Sequence, residues 1–223
     1  MANVLITGAN RGIGLELAKL YAARGDAVTG VCRETSDELE DIADQVISGI
    51  DLTEPGAMDA VATITEQLLE GPLDILINNA GVFTNETLDD MDFDRIRTQL
   101  EINALVPLEL TVALLPLMAE GSKIANITSR MGSIADNGSG AYYGYRASKA
   151  ALNALGKSLA MDLKPRGIAV AQLHPGYVQT RMVGFSGDIT PAQAAAGLAA
   201  RIDELTLDNT GGFWHSNGQS LPW

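Results

Sequence analysis

Seven short apolar runs recur along the chain, and this rhythm most restricts what it can fold into. They cover residues 4–6, 27–31, 46–50, 73–77, 123–127, 169–173 and 212–215. Their apolar residues follow one another without regular polar alternation, as in parallel strands covered on both faces. Longer helical segments separate them and carry start signals. Thr35 with Glu38 reads as a capping box, Thr53 and Thr190 stand before a Glu-Pro or Pro start, and Asp92 opens another helix. Strand and helix alternating along one chain predict a doubly wound α/β fold. Its parallel sheet would have about seven strands, joined by right-handed crossovers with helices on both faces. Such a sheet binds ligands at the carboxyl ends of its strands, so the chemistry is expected in the turns that follow them.

No repeat, low-complexity tract or linker interrupts the 223 residues, which predicts one domain over residues 1–223. A formal net charge of −13 repels phosphates at long range and argues against nucleic acid or an anionic membrane as partner. The single Cys32 leaves no internal disulfide. With only His174 and His215, well separated in sequence, the usual zinc ligand sets are not expected. The apolar runs fall short of the ~18 residues of a membrane span. The opening "MANVLITG" has no basic segment, so a cytoplasmic protein is expected.

The turns after the strands are informative. Residues 7–14, "TGANRGIG", place Gly8, Gly12 and Gly14 where a backbone can turn tightly and a helix can offer its N-terminal amides to a pyrophosphate. The second strand ends in "GVCRET". Cys32 stands where NAD-binding sheets carry an acid for the adenine ribose, and Arg33 follows it. A guanidinium suits a 2′-phosphate, with Arg11 as a second cation nearby, and this points to NADPH over NADH. The competing use of Arg33 is a surface pair with Glu34 or Asp37. The third strand ends in "IDLT", whose Asp51 or Thr53 could equally cap a helix near Pro55.

After the fourth strand comes "NNAG", where the asparagines can bond neighbouring strand ends and Gly81 permits close backbone approach. "EINALVPLELTVALL" reads as one long helix carrying Asn103, an amide that needs bonding among apolar neighbours. The fifth strand leads into "NITSRMGSI", with Ser129 and Ser133 as competing serines. In "GYRASKAALN", Tyr145 and Lys149 lie four residues apart on one helix face, a spacing suited to proton transfer. "HPGYVQTRM" turns sharply at Pro175 and Gly176.

Taken in this order, the motifs resemble the short-chain dehydrogenase/reductase family along essentially the whole chain. The segments "SRMGSI", "YRASKAALN" and "GGFWHSNGQSLPW" are most similar to the subgroup of the C-factor signalling protein and the sniffer-type carbonyl reductases. The resemblance implies a Rossmann-type fold and NADP-dependent hydride transfer between nicotinamide and a carbonyl or alcohol. A dinucleotide-binding signalling protein of the C-factor type, with little turnover, is the alternative it allows. It implies a catalytic set of Asn103, Ser129, Tyr145 and Lys149. Tyr145 would be the general acid/base, and Lys149 would lower the phenol's ordinary pKa of ~10. Ser129 would donate to the substrate oxygen, and Asn103 would hold a water in the proton path.

Cofactor contacts fall, by the same resemblance, to Gly8, Asn10, Arg11, Gly12, Ile13, Gly14, Arg33, Asp51, Leu52, Asn79, Ala80, Gly81, Tyr145, Lys149, Pro175, Gly176, Val178 and Thr180. His174 is assigned to packing. Phe83, Met131, Tyr177, Met182 and the short loop 183–189 would face an aldehyde, ketone or quinone with an apolar body. The apolar flanks of the Asn103 and Tyr145 helices would suit a homodimer or higher homo-oligomer.

Overall fold

A computed structural model describes residues 1–223. The elements run β1 (Asn3–Thr7), α1 (Gly12–Ala23), β2 (Ala27–Val31), α2 (Asp37–Ile42), β3 (Gln45–Ile47), α3 (Ala57–Leu68) and β4 (Ile75–Asn78). They continue with α4 (Phe93–Leu100), α5 (Val106–Leu114), β5 (Lys123–Ile127), α6 (Tyr143–Leu163), β6 (Ala169–His174), α7 (Pro191–Asp203) and β7 (Phe213–His215). All seven strands are parallel, in the order β3-β2-β1-β4-β5-β6-β7. The order reverses direction at β1, which opens a crevice between the carboxyl ends of β1 and β4. The expected doubly wound sheet is therefore present.

Two apolar layers hold it. One lies between the sheet and α1 and α7, around Ile6, Leu17, Tyr21, Leu198 and Ile202. The other lies under α3, α5 and α6, around Leu5, Leu76, Leu110, Ile124 and Leu163. Strand ends shift where a backbone group finds another partner. The third strand stops at Ile47 because Gly49 turns away at φ +78°. The fourth begins at Ile75, since Leu73 N–H donates to Leu117 O at 2.8 Å and the Asp74 carboxylate accepts from Asn3 N–H at 2.7 Å.

The helix starts divide. Asp92 accepts from Asp94 and Arg95 N–H, and Thr190 forms a capping box with Gln193, as expected. Thr35 does not cap α2. Ser36 does, accepting from Leu39 N–H at 3.3 Å, so the helix starts one residue later than a Thr35–Glu38 box requires. Neither Asp51 nor Thr53 caps α3, which begins beyond them after Gly56 at φ +81°.

The long helix around Asn103 is not continuous. Residues Glu101–Leu105 form a π-turn between α4 and α5. The whole helical stretch Phe93–Leu117 is long and apolar enough to cross a bilayer, contrary to the expectation from the apolar runs. In this fold its inner residues, among them Asn103, Ala104, Leu110 and Leu114, are buried, while Leu105 and Val112 stand exposed. Its apolarity is that of a core-covering helix.

Candidate active site

The turn between β1 and α1 is shaped as a cradle. Gly8 and Gly12 take φ of +65° and +57°, conformations an L side chain resists. A Cβ on Gly14 would lie 2.2 Å from Gly8 O and 2.6 Å from Asn79 Nδ2. No side chain caps α1, whose residue before the first turn is the exposed Arg11, so its first amides are open to an anion. Asn79 braces the cradle from β4's end, donating to Thr7 O at 2.9 Å and Gly8 O at 3.2 Å. Ala80 N–H donates to the Thr7 hydroxyl at 3.0 Å. Thr180 closes the far side, with its methyl carbon 3.5 Å from where a Gly12 Cβ would stand. These features fit a dinucleotide pyrophosphate.

Gly14→Ala should therefore push the turn open. Overpacking of this kind costs about 1–3 kcal/mol. A lowered melting temperature with weakened NADPH binding, followed by cofactor fluorescence, is the expected result. Wild-type binding would show that the turn has room to spare.

At the adenine end, Cys32 is buried at the tip of β2 and Arg33 projects outward. Arg33 pairs with neither Glu34 nor Asp37; its Nη1 lies 3.4 Å from Asp51 Oδ2. The other Asp51 oxygen accepts from Thr53 N–H at 3.0 Å and the Thr53 hydroxyl at 2.8 Å. Those Thr53 donors, and then Arg33, hold the Asp51 carboxyl below the ordinary range. The Arg33–Asp51 pair is exposed and long, so Arg33 remains available to an incoming anion.

The four chemistry-bearing side chains meet at the carboxyl ends of β4 and β5. Lys149 is buried, and its ammonium donates to Ile127 O at 2.9 Å. Burial pushes its pKa down to about 8. Its Nζ sits 5.9 Å from the centre of the Tyr145 ring. Burial pushes the Tyr145 phenol up, and a hydrogen bond with the Ser129 hydroxyl opposes this. The expected lowering of Tyr145 by Lys149 is thus not found in the cofactor-free protein, because desolvation outweighs a cation at that distance. Ser129 also accepts from Met131 N–H at 3.1 Å. Ser133 faces elsewhere, donating to Trp223 O at 3.0 Å and accepting from Asp136 N–H at 3.1 Å. Of the two serines, Ser129 is the one beside the phenol.

Asn103 lies inside the π-turn and is fully bonded. It accepts from Val82 N–H at 2.8 Å and donates to Val82 O at 2.9 Å and Ser148 Oγ at 3.0 Å. It is both a satisfied core amide and a strut between the turn after β4 and the Tyr145 helix. A Cβ on Gly81 would stand 3.0 Å from Asn103 Oδ1 and 3.7 Å from Lys149 Nζ. Backbone, amide and ammonium therefore converge there.

The short chain dehydrogenase family profile matches residues 2–189. The chain belongs to this family. It is 40% identical over 228 residues, covering all of both chains, to the 1-hydroxy-2-glutathionyl-2-methyl-3-butene dehydrogenase of Rhodococcus sp. (strain AD45). It is 42% identical over 156 residues to the C-signal of Myxococcus xanthus, covering 69% of this chain and 94% of that one. The solved NADPH-bound carbonyl reductase from chicken fatty liver superposes with a TM-score of 0.91 at 30% identity, covering 100% of this chain and 99% of the other. The protein is thus a short-chain oxidoreductase, and the likeness to C-signal and carbonyl reductases matches the subgroup read from the sequence.

Several features of this dehydrogenase's site were not visible in its motifs. An amide ladder runs beneath the site across three strands. Asn78 donates to Asn126 Oδ1 at 2.9 Å, and Asn126 donates to Gln172 Oε1 at 2.9 Å, in line with the strand register. His174 and His215, distant in sequence, come together edge to face at 4.9 Å on adjacent strand ends. Glu86, Gln99 and Ser148, which no motif marked, are buried around the Tyr145 helix. Their only sequence signal is a polar residue where a helix or loop turns inward.

Proposed function

We propose that this dehydrogenase is an NADPH-dependent carbonyl reductase, with residues 1–223 acting as one catalytic unit. The observation that carries it is the meeting of Ser129, Tyr145 and Lys149 beside an uncapped α1 turn braced by Asn79. A bound nicotinamide supplies the hydride that reaches the carbonyl carbon. Tyr145, kept protonated at neutral pH by burial, gives its proton to the carbonyl oxygen. The Ser129 hydroxyl, beside that phenol, donates to the same oxygen as charge develops. Lys149, fixed by Ile127 O, holds positive charge near the phenolate left behind and meets the nicotinamide ribose hydroxyls. Asn103 keeps the π-turn and Ser148 in place, next to the path by which water returns the proton. Gly8, Asn10, Arg11, Gly12, Ile13 and Gly14 would hold the phosphates. Asp51, Leu52, Ala80, Gly81, Pro175, Gly176, Val178 and Thr180 would line the rest of the cofactor.

The substrate side is an apolar rim. Tyr177, Met182 and Phe185 are exposed there, and Phe83 packs edge-on against Tyr145 at 4.9 Å. This favours an aldehyde, ketone or quinone with a sizeable apolar body. The Rhodococcus relative, named for a branched and glutathionyl-bearing alcohol, is consistent with a site open to bulk. The complete set of Asn103, Ser129, Tyr145 and Lys149 favours turnover over a purely signalling role. NADPH oxidation by the purified protein against a panel of aldehydes, ketones and quinones tests the reading. No oxidation with any of them, in a protein that binds NADPH, would overturn it.

Cofactor choice rests on Arg33 and Arg11, with Cys32 in place of an acid. Charge-assisted hydrogen bonds are worth about 1.5–3 kcal/mol, so Arg33→Ala should weaken NADPH binding by roughly tenfold to a hundredfold. NADH affinity should be unchanged. Parallel titrations of both cofactors check this, and an equal loss for NADH would remove the 2′-phosphate from the argument.

A further inference from the structure

The loop after β4 holds a carboxyl group for which the chemistry above has no use. Glu86 is fully buried and belongs to none of the protein's ion pairs. Its oxygens meet donors only. The Thr84 hydroxyl donates to Oε1, Gln99 Nε2 lies 3.2 Å from both oxygens, and Gly144 N–H donates to Oε2 at 3.1 Å. Gln99 is equally buried, and its own oxygen accepts from Thr84 N–H at 3.0 Å. The Glu86 backbone oxygen accepts from Tyr142 N–H at 2.8 Å. Every one of these bonds ties the start of α6 to the 84–86 loop or to α4.

Helix α6 needs that support. Its first N–H groups lack partners within the helix. The residue before its first turn, Tyr142, sits in the left-handed region at φ +55° and caps nothing. Glu86 supplies the missing acceptor from outside, where an acidic group is also favoured by the helix dipole. Tyr145 is the third residue of α6, so the turn that Glu86 fixes is the turn that carries the phenol. Phe83, from the same loop, presses edge-on against the Tyr145 ring. The contact is tight: a Cβ on Gly144 would stand 2.2 Å from Gln99 Nε2 and 3.0 Å from Glu86 Oε2.

We infer that Glu86, braced by Gln99, is a positioning residue for Tyr145, serving as the N-terminal cap of α6 and setting the phenol against Ser129. The inference rests on Tyr145 being the proton donor. A buried acid that merely staples the fold would affect stability and leave the phenol's placement alone.

Glu86→Gln keeps size and one acceptor but turns an NH2 toward donors already in place. Displacing a reacting group by about 1 Å costs on the order of a hundredfold in rate. The variant should lose kcat to that extent while NADPH affinity stays at the wild-type value. The double variant Glu86→Gln with Gln99→Glu restores a carboxylate beside an amide and should recover most of the rate. Two results would overturn the assignment. One is wild-type kcat in folded Glu86→Gln. The other is a double variant that regains thermal stability without regaining rate.

A second readout needs no turnover. The ultraviolet titration of Tyr145 is isolated as the difference between each protein and its Tyr145→Phe counterpart. Glu86→Gln should move that titration down toward ordinary tyrosine as water reaches the ring. An unmoved titration refutes the positioning role, even in a protein for which the carbonyl panel has shown no activity. Failure of the panel with a moved titration counts against the proposed reaction and not against Glu86.

Discussion

Tyr145→Phe should retain the fold and bind NADPH normally, yet reduce carbonyls about a thousandfold more slowly, as loss of a positioned general acid does. The change removes a single oxygen. Its one hydrogen-bonding neighbour, Ser129, still accepts from Met131 N–H at 3.1 Å, so the deletion strands no buried polar group. The edge-on contact with Phe83 needs only the ring, which phenylalanine keeps. Nothing in the α1 cradle touches the phenol, so cofactor affinity has no reason to fall. Because burial raises the phenol above its ordinary range, wild-type reduction should be insensitive to this group across neutral pH. The reverse oxidation, which needs phenolate, should quicken as pH rises. Steady-state rates in both directions, with fluorescence titration of NADPH, measure all of this. Turnover in Tyr145→Phe close to wild type would take the phenol out of the mechanism.

How much of this was legible in the sequence depended on how local its cause was. Gly8, Gly12 and Gly14 read correctly because their constraint is the backbone of one tight turn. Asn79 and the Tyr145–Lys149 spacing read correctly because each follows directly from a strand end or a helix period. Errors began where two nearby residues could do the same job. Ser36 took the cap from Thr35, and Gly56 moved the start of α3 past both Asp51 and Thr53. Arg33 found Asp51 on the next strand's end, where sequence neighbours offered Glu34 and Asp37. Glu86 reaches Gly144 across 58 positions, a contact that only the packing of α4 on α6 creates. The π-turn at Glu101–Leu105 was announced by Asn103 alone, and its helical apolar surroundings gave no sign of a break. Direction of pKa was the hardest to foresee. Lys149 was expected to act on Tyr145, but how deeply both are buried decides the sign, and burial belongs to the fold.

Lys149→Met should lose turnover and yet make the cofactor-free protein more stable at pH 7. Burial lowers the folded-state pKa of Lys149 from 10.5 to about 8, so at pH 7 the fold carries an ammonium it disfavours. That difference corresponds to about 3 kcal/mol against the folded state. Methionine fills a similar volume without the charge. It leaves Ile127 O without its donor, a loss of about 1 kcal/mol or somewhat more. The net gain is on the order of 1–2 kcal/mol, a few degrees of melting temperature for a chain of this size. The sign follows from proton counts. Between pH 8 and 10.5 the unfolded chain holds a proton at Lys149 that the folded chain has shed, so wild-type stability rises with pH there. The advantage of Lys149→Met is therefore full below about pH 8 and gone by about pH 10.5. Thermal melts of both proteins across that range measure it. A lower melting temperature for the variant at pH 7, or a gain that does not shrink toward pH 10.5, would refute the account. In either event the comparison bears on function: an ammonium retained against its own burial is explained by what it does once a dinucleotide and a carbonyl are bound beside it.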